Sequence, residues 1–252
     1  AAVNSINWAR IMAQVVYYVV AAERLRGRRS PVVFAVPTGN FGNVFAGYVA
    51  RQCGLSVPRL IVGSNANDIL TRFFASGALA TAEVVPTLSP SMDIQISSNL
   101  ERLLFEVVDR DGNALAAFLE RFRSEGVAAL TPTLHAQLGD SWSGYCFNDE
   151  DVLRCISEEV DRSGVLLDPH SAIGVLAARA HRAANLDPEA DVVALATAHP
   201  GKFPDVIERA TGIRPCLPER LAGLFDRDEH FVYLPNDLAA VRTFVSDCSR
   251  AV

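Results

Sequence analysis

A chain of 252 residues, half of them apolar and 21% charged, has room for one large α/β domain or two small ones with a substantial core. Its net charge of −6 does not suggest the basic surface of a nucleic-acid binder. Five scattered cysteines (Cys53, Cys146, Cys155, Cys216, Cys248) without Cys-x-x-Cys spacing argue against a disulfide frame or a metal site and fit reduced thiols in the cytoplasm.

The chain opens on Asn4-Ser5-Ile6-Asn7-Trp8-Ala9-Arg10, followed by an apolar run from Ile11 to Ala22. Arg10 and Gln14 interrupt that run, and its longest apolar part is too short for a membrane span. It also lacks the basic start and cleavage pattern of a secretion signal. A buried helix ending near Gly27 is the reading. Asn4, Ser5, Asn7 and Arg10 crowd its first turns, where free N–H groups and partial positive charge favour an anion. A capped helix with Arg10 paired at the surface accounts for the same residues.

Pro31-Val32-Val33-Phe34-Ala35-Val36 is an apolar, β-branched and aromatic run that reads as a buried strand, stopped by Pro37. Thr38-Gly39-Asn40-Phe41-Gly42-Asn43 follows, and a helical pattern begins at about Asn43, a residue suited to an N-cap. Strand, glycine turn and helix together are how an α/β protein makes an anion site from backbone amides. Neither a Walker loop nor Gly-x-Gly-x-x-Gly is present, which leaves a ligand smaller than a nucleoside triphosphate or dinucleotide. Two glycines alone fit a plain βα turn equally well, and the surplus polar groups of Thr38, Asn40 and Asn43 favour the anion.

Arg59-Leu60-Ile61-Val62-Gly63 reads as a second strand, and Asn65-Ala66-Asn67-Asp68 caps a helix through Phe73 and Phe74. Short alternation of strand and helix predicts a doubly wound, mostly parallel sheet, with ligands outside the carboxyl ends of its strands. From about 83 to 145 the pattern loosens into a helical insertion, with helical periods over Asn99–Val108, Ala114–Gly126 and Thr131–Leu138. Asn148-Asp149-Glu150-Asp151 starts a helix that runs to about Ser163. Leu166–Gly174, with Asp168, His170 and Ser171, leads into a helix over Val175–Ala184. A buried strand from Asp191 ends in Thr197 and His199, and Lys202 precedes a helix through Thr211. Phe231–Pro235 reads as a final strand and Leu238–Val245 as a closing helix. His170 and His199, taken singly, fit satisfied structural histidines.

Four segments together resemble threonine synthases of the longer-chain branch: Asn4–Arg10, Pro37–Asn43, Asp168–Gly174 and Ala196–Phe203. The likeness covers nearly the whole chain. It implies the large domain of a fold type II pyridoxal-phosphate enzyme, the tryptophan-synthase-β class, that converts O-phospho-L-homoserine and water into L-threonine and phosphate. It further implies a protein without nucleic-acid or membrane partners that acts as a monomer or homodimer in threonine biosynthesis. By this resemblance Gly39, Asn40, Phe41, Gly42 and Asn43 cradle the cofactor phosphate, and Thr197 bonds the pyridine nitrogen. Ser5, Arg10 and Asn40 hold the substrate phosphate.

One part of the family pattern is missing. The family's Schiff-base lysine sits in a Phe-Lys-Asp motif upstream of the Asn4–Arg10 segment, whereas the single lysine here, Lys202 against 22 arginines, belongs to a motif at the other end. The expectation is therefore a fragment, roughly the C-terminal half of the family sequence, inactive by itself. A phospho-lyase acting on a related phosphorylated amine or amino alcohol is the alternative enzyme reading. A half-protein that binds phosphate or pyridoxal phosphate without catalysis is the alternative outside enzymes.

Overall fold

The alternating side chains of one strand show how the layers form. In Val32–Pro37, the residues Val32, Phe34 and Val36 belong to one hydrophobic cluster and Val33 and Ala35 to another, all of them buried. Successive side chains of a strand point to opposite faces, so a strand apolar throughout must be covered on both. In the computed structural model, which describes residues 6–25 and 30–250, both faces are covered. The elements run α1 (Trp8–Leu25), β1 (Val32–Pro37), α2 (Gly42–Gln52), β2 (Leu60–Ser64), α3 (Ile69–Ser76) and β3 (Ala78–Ala80). Then come α4 (Leu100–Val107), α5 (Gly112–Glu125), β4 (Val127–Ala129), α6 (Pro132–Leu138), β5 (Trp142–Cys146) and α7 (Asp149–Ser163). The order closes with α8 (Pro169–Ala183), β6 (Asp191–Ala194), α9 (Pro204–Thr211) and α10 (Leu238–Arg250).

The main sheet has the order β5-β2-β1-β6 and every pairing in it is parallel, while β3 and β4 form a separate antiparallel pair. On one face Phe34, Val36, Leu60 and Val62 pack with Ile11 and Tyr18 of α1 and Val44 and Ala46 of α2. On the other, Val33, Ala35 and Ile61 pack with Ala177 of α8. Burying each large side chain of this kind stabilises the fold by about 1.5–3 kcal/mol. Helix starts are fixed locally. Asn148 makes a reciprocal capping box with Asp151 at α7, and Asp168 accepts from the amides of His170 and Ser171 at α8, with Pro169 in the first turn. The chain divides into two units, Ala1–Cys216 and Leu217–Val252, the second carrying α10.

The doubly wound parallel sheet is the one expected from the strand–helix alternation, and several details differ. α8 begins at Pro169 rather than Val175, and α1 buries only Ile11 and Tyr18 while Met12, Val16 and Val20 are exposed. Asn43 does not cap α2: the helix begins at Gly42, its N-cap is Phe41 with no side-chain bond, and the Asn43 side chain accepts hydrogen bonds from Tyr17 and Tyr18 instead. The last strand of the sheet stops at Ala194, although Leu195 N still donates to Ala35 O, so Thr197 and His199 lie in the loop beyond it. Phe231–Pro235 is no strand, since Phe231, Val232 and Tyr233 are exposed and pair with no described strand. β5, unexpected from the sequence, adds the outer strand beside β2.

Candidate functional site

β1 and β6 are parallel neighbours in the register Val32↔Asp191 to Ala35↔Ala194, so the loops that follow them leave the same edge of the sheet. This is the carboxyl edge where open α/β sheets bind ligands. Thr38 fixes the first turn of the loop after β1: its amide donates to Gly63 O at 2.9 Å and its hydroxyl to Val36 O at 2.7 Å. Gly39 must be glycine, because a Cβ there would lie 2.9 Å from the backbone oxygen of Ser91. Phe41 takes the left-handed conformation with φ 63°, rare for a residue with a side chain. Its ring compensates by stacking in the core on Trp142 (5.6 Å between centroids) and Phe74 (6.1 Å).

Among the described residues, no acceptor receives the backbone N–H of Gly39, Asn40, Phe41, Gly42 or Asn43. The leading amides of a helix lack intrahelical partners, and here those of α2 join the free amides of the preceding turn. A cavity of about 120 Å³ lies against this loop, lined by Pro37–Asn43 with Arg10 and Gln14 of α1. A guanidinium and several N–H donors around a space this small suit an anion such as a phosphate group. A larger cavity of about 850 Å³ adjoins it and shares Gln14, Pro37, Gly39 and Asn43. Its walls also include Ser91, His170, Thr197 and Lys202.

A buried polar chain sets the far wall. Asp168, fully buried, accepts from the amides of His170 (2.9 Å) and Ser171 (3.3 Å), faces His170 Nδ1 at 3.1 Å and takes a hydrogen bond from the Ser171 hydroxyl. The Ser171 hydroxyl in turn accepts from Thr197 N at 3.0 Å, which fixes the Thr197 backbone to the start of α8. Burial pushes the Asp168 carboxyl up, but the hydrogen bonds from His170 and Ser171 outweigh it and hold the group below the usual carboxylate range. The His170 ring lies tilted against Phe203, 5.0 Å between centroids. His199 Nδ1 accepts from Gly201 N at 3.1 Å, capping a 3-10 turn over Pro200–Lys202, so its ring serves local structure. Lys202 carries its ammonium over the Phe203 ring, 5.5 Å from the centroid.

The residues singled out in the sequence thus meet at one edge. Gly39, Asn40, Phe41, Gly42, Asn43 and Arg10 surround the small cavity, and Thr197 lines the large one. Ser5 lies outside the described residues. Sequence reading missed Ser91, whose backbone meets Gly39, and the run Ser97-Ser98-Asn99 with Arg102, which grips the loop from behind. In the sequence Asn99 reads only as the first residue of a helical period over Asn99–Val108, and no local signal in Ser97-Ser98-Asn99 points to the loop.

Residues 171–245 match the family model described as threonine synthase, C-terminal. The threonine synthase of Pseudomonas aeruginosa is 49% identical over 97% of this chain and 52% of its own length. Among solved structures, a pyridoxal-phosphate-bound threonine synthase from Brucella melitensis superposes with a TM-score of 0.90 at 45% identity, covering 99% of this chain and 53% of that one. Threonine synthase from yeast gives 0.88 at 33% identity, covering 100% of this chain and 54% of that one. Sheet order, edge loops and these likenesses define an α/β large domain of the fold type II class. Within that class the chain belongs with the threonine synthases, as roughly the C-terminal half of the family sequence. It spans about half the length of the curated relatives it matches.

Proposed function

We propose that this chain supplies the phosphate-holding half of a threonine synthase, which turns O-phospho-L-homoserine and water into L-threonine and phosphate with pyridoxal 5'-phosphate as cofactor. The observation that carries this reading is the group of unengaged amides from Gly39 to Asn43 facing the same small cavity as Arg10. These residues fit the cofactor. Ser91 O fills the space a Gly39 side chain would take, so the backbone itself forms the cradle, and the adjoining cavity of about 850 Å³ accommodates the rest of a molecule this size.

In this reading the amides of Gly39, Asn40, Phe41, Gly42 and Asn43 hold the cofactor phosphate at the N-terminus of α2. Thr197 offers a neutral hydroxyl to the pyridine nitrogen. Asp168 and Ser171 act behind it, since they fix the Thr197 backbone. Arg10 holds the phosphate of the substrate, its guanidinium matched to two oxygens and to the charge they gain as that group departs. Asn40 contributes through its side chain: its Oδ1 accepts from Ser98 Oγ at 3.3 Å, which leaves the amide NH2 to donate. Ser5, by the family resemblance, is a further phosphate ligand. When bound, the cofactor supplies the electron sink for elimination and addition on the substrate carbons. No described helix is long and apolar enough to cross a membrane.

Titration of the chain with inorganic phosphate, followed by the backbone amide resonances, tests this reading. Inorganic phosphate, tied to neither cofactor nor substrate, is expected to sit between the two sets of donors around the small cavity, so that it moves the Gly39–Asn43 amides and Arg10→Ala weakens its binding by about tenfold. Phosphate shifts that map elsewhere, or affinity unchanged in Arg10→Ala, overturn it.

A further inference from the structure

The anion loop is held from behind by a segment that itself lines neither cavity described above. Ser97 Oγ donates to Gly39 O at 2.7 Å. Asn99 donates twice to Asn40 O, from its backbone N at 3.1 Å and from Nδ2 at 2.9 Å. A peptide unit is planar and trans, so its N–H points opposite to its C=O. Pinning the carbonyls of Gly39 and Asn40 toward Ser97 and Asn99 therefore turns the N–H groups of Asn40 and Phe41 to the other side of the loop. That other side is where Arg10 and Gln14 enclose the small cavity.

The same segment also reaches the second wall. Asn99 is fully buried, and its Oδ1 accepts from Arg102 Nε at 3.0 Å. Arg102 Nη2 donates to Ile6 O at 2.8 Å, and its guanidinium lies over the Trp8 ring, 5.4 Å from the centroid. Ile6 and Trp8 begin the turn and helix that carry Arg10. One chain of bonds thus runs from the Asn40 carbonyl through Asn99 and Arg102 to the start of α1.

We propose that Asn99 is a positioning residue of the phosphate site: with Ser97 it aims the Asn40 and Phe41 amides at the anion, and through Arg102 it holds the first turn of α1, and so Arg10, opposite them. This deepens the function proposed above and rests on it. The chemistry of Asn99 suits the task, because a carboxamide presents a donor to the Asn40 carbonyl and an acceptor to Arg102 at once. Aspartate keeps the shape and the Arg102 contact but sets a carboxylate against the Asn40 carbonyl. Two acceptors face to face repel, so the peptide is driven out of its orientation.

The test compares inorganic phosphate binding to the wild-type chain, Asn99→Asp and Asn99→Ala, with amide resonances as the readout. Asn99→Asp is expected to bind phosphate about tenfold more weakly and Asn99→Ala less severely so. The phosphate-dependent shifts of Asn40 and Phe41 should shrink while those strand resonances remote from the loop, such as Val33 and Ile61, stay in place. A merely structural role for Asn99 would lower thermal stability and leave the phosphate response of the folded fraction intact. Should Asn99→Asp not fold, Ser97→Ala gives the same decision, with Ser97→Thr expected to restore binding through its hydroxyl. A wild-type chain with no phosphate response at Gly39–Asn43 overturns the proposed function and this inference together. A normal wild-type response matched within about twofold by the folded variants overturns the inference alone.

Discussion

Gly39 and Phe41 carry opposite kinds of constraint within three residues. Gly39 is bound by space, with Ser91 O 2.9 Å and Met92 Cα 3.2 Å from where a Cβ would sit. Because both neighbours are backbone, Gly39→Ala must displace the loop or the Pro90–Met92 turn, at a cost of about 1–3 kcal/mol. The expected outcome is a lower thermal midpoint together with weakened phosphate binding. A variant that melts and binds like wild type would show that the loop yields freely. Phe41 is bound by conformation, and its left-handed backbone persists because the ring is buried on Trp142 and Phe74. Phe41→Leu keeps part of the apolar volume and none of the stacking. It should lose about 1–3 kcal/mol in denaturant unfolding, with the phosphate response of the Phe41 amide reduced alongside. Asp168 is constrained by charge. Its carboxyl is held below the ordinary value of 3.8, so its contribution to stability is present above that pH and lost as pH falls through the lower, folded-state value.

α8 works at both ends of the sheet. Its N-terminus organises the Asp168–Ser171–Thr197 chain at the carboxyl edge. Near its C-terminus, the fully buried His181 lies 3.2 Å from Asp187 Oδ2, which also pairs with Arg59 Nε at 2.6 Å. Burial lowers the His181 pKa, Asp187 opposes this, and Arg59 and Arg182 add to it, with a net shift below 6.5. The unfolded chain therefore takes up the His181 proton more readily than the folded one. Stability from this group is complete above pH 6.5 and declines as pH falls from there toward the folded-state value. Thermal midpoints measured from about pH 8 to about pH 5 should fall in wild type and less in His181→Gln. Equal slopes in the two would remove His181 as the cause. Sequence periodicity puts the start of α8 too late, at Val175, although Asp168-Pro169 followed by small residues is a local capping pattern. β1 and the glycine turn were legible, since apolar run, proline and glycines act on their immediate neighbours. β5 was not, because Trp142-Ser143-Gly144-Tyr145-Cys146 becomes a strand only by pairing with Leu60–Ser64. Nor was the role of Ser97 and Asn99, whose partners in the loop are 58 and 59 residues away. The Asn43 side chain was misread as a cap because the tyrosines that claim it lie on another helix.

At the scale of the whole molecule, binding and turnover separate. The phosphate loop, Thr197 and the buried chain behind it all lie within Ala1–Cys216, one of the two units. In the function proposed above, those elements hold a phosphorylated cofactor through hydrogen bonds and charge. Covalent attachment is another matter, since the chain's single lysine is Lys202. It sits in the turn after β6 with its ammonium over Phe203, and the family resemblance gives it no covalent role. The 252-residue chain is therefore expected to bind pyridoxal phosphate reversibly, to yield no borohydride-stable adduct at Lys202 and to form no threonine from O-phosphohomoserine. Lys202→Arg should leave the affinity for inorganic phosphate unchanged, because Lys202 lines the large cavity and not the small one. Reduction followed by peptide mass mapping separates the possibilities. A cofactor-modified Lys202 peptide with threonine formation would make Lys202 the attachment point and the chain a catalyst by itself. An unmodified peptide with intact phosphate binding would assign to these residues the holding of phosphate and not the bond-making step.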